Sequence, residues 1–245
     1  MKKILFIVIL LCAYHAAFPQ FSLDMETGMV FSGYNDVRIP GDTGTRFSLS
    51  EDLEANSALF FRARINYAIN PKHTLSLLFA PLTITSEGQI SKDVNFKGTV
   101  FPAQEKIEAT FRFNSYRLTW RYRIMQSENF SLSLGITGKI RDAEIKLKSD
   151  VRESNKTNVG FVPLINFRCL WQFAENFGLI FMGDALASPQ GQGRAEDVLI
   201  ALKGDVSDRI SLKFGYRILE GGADVDEVYN FTLIHYAVAG VIVNI

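Results

Sequence analysis

Arg62 and Arg64 stand two residues apart inside the apolar run LFFRARINYAI, Leu59–Ile69. The same pattern returns along the chain. Arg117, Arg121 and Arg123 interrupt YRLTWRYRI, Lys139 and Arg141 sit in LGITGKIRD, Arg168 in NFRCLW, and Lys213 and Arg217 in ISLKFGYRI, with Lys203 nearby. A guanidinium presents a planar fork of donors to carboxylate or phosphate oxygens. An array of them either binds an anionic solute or is neutralised by acids of its own chain. Fewer acids share the setting: Asp24, Glu26, Asp184, Asp197 and Asp205. The whole chain balances 26 basic against 26 acidic residues, so no global field steers it toward nucleic acid.

His235, in LIHYAVAG, is the only histidine beyond residue 20 outside a turn, since His73 lies in Asn70-Pro71-Lys72-His73. It is a candidate acid–base group, with Asp184 or Glu220 as possible partners. Asp224, Asp226 and Glu227 in GGADVDE, beside Glu196 and Asp197, supply oxygens of the kind that hold Ca²⁺ or bridge lipopolysaccharide cations. A solvated acidic loop is the default reading, so no metal is expected. Gly191 and Gly193 in SPQGQGRAED lack the helix that a phosphate-cradling loop needs, and no cofactor is expected. Asn155-Lys156-Thr157 has the letters of a glycosylation sequon, which carries no meaning if the source is bacterial.

The elements that position these side chains follow from their period. Residues alternate in polarity, segment after segment, as in a strand. In Leu59–Ile69 one face carries Leu59, Phe61, Ile65 and Ile69 and the other Arg62, Arg64 and Asn66. Tyr116–Ile124, Phe130–Arg141 and Ile210–Ile218 repeat the pattern. Phe21–Tyr34, Thr74–Thr85, Val159–Phe173, Phe177–Ala187, Asp197–Asp205 and Val228–Ile245 complete about ten strands, most close to the roughly 9–11 residues that cross a bilayer at a tilt. Four connections are short and five are long and polar: 36–57, 88–106, 149–158, 189–196 and 220–227. Short turns at one end and long loops at the other mark a transmembrane barrel.

The N-terminus reads MKKILFIVILLCAYHAAFPQ: two lysines, an apolar stretch and small residues, as in a secretory signal peptide. Residues 1–20 are expected to be removed, leaving one barrel domain over 21–245. That removal takes Cys12 and leaves Cys169 alone, so no disulfide framework is available. The 12 % aromatic content and 20 Phe are high for a soluble chain; lipid is where they belong, with Tyr67, Trp120, Tyr122, Trp171 and Phe173 forming a girdle near the short-turn end. In lipid a sheet survives only when it closes on itself. The fold class expected is all-β: a closed, antiparallel, up-and-down transmembrane barrel of about ten strands.

On these features, and on the final strand YNFTLIHYAVAGVIVNI, the chain resembles the small outer-membrane β-barrel proteins of Gram-negative bacteria over essentially all of Phe21–Ile245. It departs from many of them in ending on Ile245 rather than Phe. The resemblance implies residence in a bacterial outer membrane, contact with its lipids and lipopolysaccharide, and passage through the barrel-assembly machinery. HYAVAG also resembles the HYSNAG-type motif of lipid A 3-O-deacylases, but Ala237 stands where the nucleophilic serine belongs. Omptin-type proteases also have about ten strands and use a histidine with acids at the rim.

With the apolar faces in lipid, Arg62, Arg64, Arg117, Arg121, Lys139, Arg141, Arg168 and Arg217 point inward, with Asp24, Glu26 and Asp184. A barrel of this size is filled by side chains, whereas open channels need about sixteen strands. The expectation is a non-enzymatic structural or porin-like protein with a basic, largely plugged lumen, possible small anionic solutes as partners and no nucleic acid. The competing reading is a barrel enzyme, deacylase-like or omptin-like, using His235.

Overall fold

The computed structural model describes residues 20–187 and 192–245. The expected signal peptide, but for Gln20, and the Ser188–Gly191 part of the glycine-containing loop lie outside them. Ten long strands follow in chain order: β1 Phe21–Arg38, β2 Ala58–Ala68, β3 in two segments (His73–Ala80 and Thr83–Gln89), β4 Lys106–Gln126, β5 Phe130–Lys148, β6 Glu153–Ala174, β7 Phe177–Ala187, β8 Gly193–Asp205, β9 Ile210–Val225 and β10 Val228–Asn244. Each pairs antiparallel with the next, and β1 pairs with β10 from Ser22↔Asn244 to Arg38↔Tyr229, which closes the sheet. Closure removes both edges, the condition for a sheet in lipid.

The phase of each strand is the one its alternation demands. Asp24, Glu26, Arg62, Arg64, Arg117, Lys213 and Arg217 are buried inside. Leu59 (78 % exposed), Phe161 (67 %) and Ile165 (59 %) stand on the outer surface. A continuous outer band of this character is too large for water and is covered by lipid. Near the short-turn end it carries a girdle in which Phe21 meets Tyr67 (ring centroids 4.8 Å), His73 stacks on Trp120 (5.6 Å) and Trp171 meets Phe173 (5.7 Å).

Along β4 the inward positions are the odd-numbered ones throughout, yet the apolar face changes sides. From Tyr116 to Ile124 the outward residues Tyr116, Leu118, Trp120 and Ile124 are apolar and the inward ones include Arg117 and Arg121. From Ile107 to Phe113 the inward residues Ile107, Ala109 and Phe111 are apolar, and Glu108, Thr110, Arg112 and Asn114 face out. β5 makes the same exchange, with Leu134, Ile136 and Ile140 outward below and Ile145 and Leu147 buried inward above. The exchange marks the edge of the lipid band: below it the solvent of the outer face is hydrocarbon, above it water.

Above that edge the barrel encloses an apolar core like that of a soluble protein. Phe111, Ile145, Leu147 and Leu219 join Ile39, Phe47, Leu49, Phe96 and Phe101 from the connections β1–β2 and β3–β4. Those two connections carry short strands, Phe47–Ser48, Glu54–Ala55 and the hairpin Val94–Phe96/Thr99–Phe101. The long polar loops expected at 149–158 and 220–227 are instead mostly strand, since β6 begins at Glu153, β9 runs to Val225 and β10 begins at Val228. Likewise β8 begins at Gly193, inside the expected 189–196 loop. Their polar composition reflects an outer face in water, not the absence of pairing.

Candidate functional site: the ionic lumen and the cavity above it

Glu26 on β1 and Arg62 on β2 are directly opposed in register, as are Asp24 and Arg64. Register alone pairs neighbours; the curvature of the barrel pairs strands that are far apart. Arg62 Nη2 donates to Asp197 Oδ2 on β8 across the lumen at 2.9 Å, and its Nε lies 3.4 Å from Glu26. Arg117 on β4 reaches Asp184 on β7 and Asp197 on β8, both at 2.6 Å. Arg217 on β9 donates to Asp197 at 2.5 Å and to both Glu26 oxygens at 2.8 Å. Lys213 Nζ is 2.7 Å from Glu26 and 2.5 Å from Asp24. The remaining capacity of Asp184 is met by Thr137 (2.6 Å) and Asn166 (2.7 Å). Asp197 is thus held by three guanidiniums from three strands, and the network crosses the lumen in every direction. A carboxylate so buried is stable only with that many donors.

The buried set is not neutral. Among the charged residues that are buried, seven are cations (Arg62, Arg64, Arg117, Arg121, Lys139, Lys213, Arg217) and four are carboxylates (Asp24, Glu26, Asp184, Asp197). Arg62, Arg117, Lys213 and Arg217 pair with the four acids. Arg64, Arg121 and Lys139 have no carboxylate within 4.0 Å among the described residues. Arg121 is held by Asn66 (2.9 Å) and Ser76 (2.7 Å) toward the short-turn end, and one nitrogen each of Arg64 and Arg121 has no partner. Arg168, half-buried, also lacks a carboxylate partner there. Arg123 is exposed at the short-turn end, while Lys203 pairs with Asp205, which accepts from Ser211 at 2.6 Å. Thr137 and Asn166 fall on the polar faces of their strands, whereas Ser115, which accepts from Arg117 Nε at 2.9 Å, lies just before the segment read as a strand from the sequence.

Directly above the network lies a cavity of about 420 Å³. Arg117, Asp184 and Asp197 form its floor, and Phe111, Phe113, Ile145, Leu164, Leu186 and Leu219 its walls. Lys139 (2 % exposed) reaches into it with Nζ 4.6 Å from the centre of the Phe113 ring, and Arg141 lies one turn of the alternation higher, donating to Asn158. The aromatic walls fall outside the segments whose alternation put apolar residues outward, although Phe111 and Phe113 obey the same period in the opposite sense.

His235 does not belong to this site. It is on the outer face of β10, where it stacks against Tyr216 (6.0 Å) and meets the Tyr216 hydroxyl. Its neighbours in register are Phe31 and Ile218. Asp184 lies inside the lumen and Glu220 is engaged by Arg194 and Tyr34, so neither orients the imidazole. The pairings expected for His235 fail because residue 235 has the outward parity of its strand. Asp224, Asp226 and Glu227 do not converge either. No group of three or more His, Cys, Asp or Glu suited to a metal occurs among the described residues, and Glu227 meets Lys156 at 3.3 Å.

No protein-family model and no curated protein sequence matches the chain. Solved structures do. The outer membrane protease OmpT of Escherichia coli is 11 % identical and superposes with a TM-score of 0.57 over 92 % of this chain and 97 % of that one. The translocator domain of the autotransporter NalP from Neisseria meningitidis is 11 % identical, TM-score 0.48, covering 96 % and 91 %. Ail, the attachment invasion locus protein of Yersinia pestis, is 12 % identical, TM-score 0.41, covering 91 % and 99 %. At such identities the likeness speaks for the fold alone. The chain folds as a closed antiparallel ten-strand barrel, the fold it shares with the outer membrane protease structure.

Proposed function

We propose that this protein is a non-enzymatic outer-membrane barrel whose lumen is sealed by its own ion pairs, a structural or solute-binding protein and not a conducting pore. The observation that carries the reading is Asp197, buried and gripped by Arg62, Arg117 and Arg217 from across the lumen. Side chains held on both ends in this way leave no path of hydration for an ion. The lipid band, its girdle and the water-facing upper barrel support residence in a bacterial outer membrane, with lipid and lipopolysaccharide as its surroundings and the barrel-assembly machinery as the partner that inserts it. The direction of the surplus charge makes small anions the solutes it would favour.

Conductance in planar lipid bilayers tests this. The purified chain is expected to give no unitary current steps. A stable, anion-selective conductance that disappears in the Arg62→Ala/Arg64→Ala double variant would overturn the sealed-lumen reading and make the same arginines the walls of a path.

A further inference from the structure

We propose that the cavity above the ionic network is a binding site for an amphipathic organic monoanion, a molecule with an apolar body and a single carboxylate head. This deepens the sealed-lumen reading, because the network serves as the floor of the site. The volume of about 420 Å³ falls within the roughly 300–1,000 Å³ of small-molecule sites. The walls are aromatic and aliphatic, with Phe111, Phe113, Leu164 and Leu219 among them, and they suit an apolar body.

The head group follows from charge. The acids of the floor are already satisfied: Asp184 by Arg117, Thr137 and Asn166, and Asp197 by three guanidiniums. Toward the rim, Glu144 pairs with Arg112 at 3.0 Å and Glu227 with Lys156. Of the lining charges without an ion pair among the described residues, Glu196 is exposed to solvent, and the two more buried ones, Lys139 and Arg141, are both positive. Lys139, only 2 % exposed, has no carboxylate within reach among the described residues and only the face of Phe113 against it. Arg141 has an Nε without a partner. A buried ammonium is ordinarily paired. Here the missing partner is a carboxylate brought by a ligand, seated between Lys139 and Arg141 with its apolar body against the phenyl rings.

Calorimetric titration of the detergent-solubilised full chain at pH 7, against matching protein-free micelles, tests this with 4-phenylbutyrate, its neutral analogue 4-phenylbutan-1-ol, and acetate. The butyrate is expected to bind at one site, the alcohol about tenfold or more weaker because a charge-assisted contact is lost, and acetate not measurably. Lys139→Met keeps the stem and drops the charge. It is expected to bring the affinity for the acid down to that for the alcohol, and Lys139→Arg to restore it, with folding of each variant read by circular dichroism. Equal binding of acid and alcohol by the parent chain, no binding of either, or an unchanged affinity in folded Lys139→Met would overturn the proposal. The comparison of acid with alcohol needs no variant. Binding of the acid by a chain that also conducts in planar bilayers would sink the sealed lumen and leave this site standing.

Discussion

At the scale of residues the lumen is decided by Asp197. Three guanidiniums share its two oxygens, so removing its charge leaves Arg62, Arg117 and Arg217 buried with too few acceptors. Breaking a buried pair from one side typically costs ~3–5 kcal/mol, and Asp197→Asn is expected to lose about that much in urea unfolding from phospholipid vesicles. A loss under ~1 kcal/mol would mean that water satisfies the arginines and that the network is not the seal. Arg64 is the contrast. With no carboxylate of its own, Arg64→Met is expected to be neutral or stabilising in the same measurement. That all these side chains point inward was legible from the two-residue period. Which acid each arginine reaches was not, because Arg62 and Asp197 lie 135 positions apart and meet only across the closed barrel.

At the scale of elements, the strands are longer than the membrane needs, and their upper halves are where the reading by composition stops short. In β4 the run Tyr116–Ile124 announces itself through apolar residues at even positions, while Ile107–Phe113 carries them at odd ones. Read with a single sign of polarity the second half looks like loop; read as a change of solvent it is the same strand leaving lipid. β1 shows a different constraint. Gly28 has φ +142°, and a Cβ there would fall 2.0 Å from the Ala237 carbonyl oxygen and 3.2 Å from the Phe60 ring, which packs edge-on against Tyr236 at 4.9 Å. Gly28→Ala is expected to destabilise by roughly 1–3 kcal/mol, the usual cost of a residue forced into a sparsely populated backbone region, with β1 separating from β10 first. Faster amide hydrogen exchange along β1 and β10 than elsewhere checks this; unchanged exchange there would refute it.

At the scale of the molecule, the protein has two solvents outside and two interiors inside: an ion-pair network set among apolar side chains such as Ile180, Leu199 and Ile242 where lipid surrounds it, and an apolar core where water does. The outer band is therefore tested by the charge it excludes. Ile165 stands outward between Phe161 and Phe167 on β6, and Ile165→Arg is expected to cost ~2–4 kcal/mol of stability in a bilayer, as a charge near the mid-plane does. The same measurement for Lys146→Ala on the outer face of β5, above the lipid edge, is expected to move stability little, as surface substitutions do. Equal effects at the two positions would place the lipid boundary elsewhere.

The sequence by itself determined the strand phases, the closure into about ten strands and the inward direction of the arginines, because alternation is a local property and a charged side chain cannot face hydrocarbon. It also held Lys139 and Arg141 on the inward face. The tertiary structure alone decided that Asp197 gathers three cations, that His235 ends on the outer surface beside Tyr216, and that a cavity with an unpaired ammonium sits above the seal. Those facts depend on the distances across the barrel and on how far its strands rise past the lipid, and neither distance is written in any single strand.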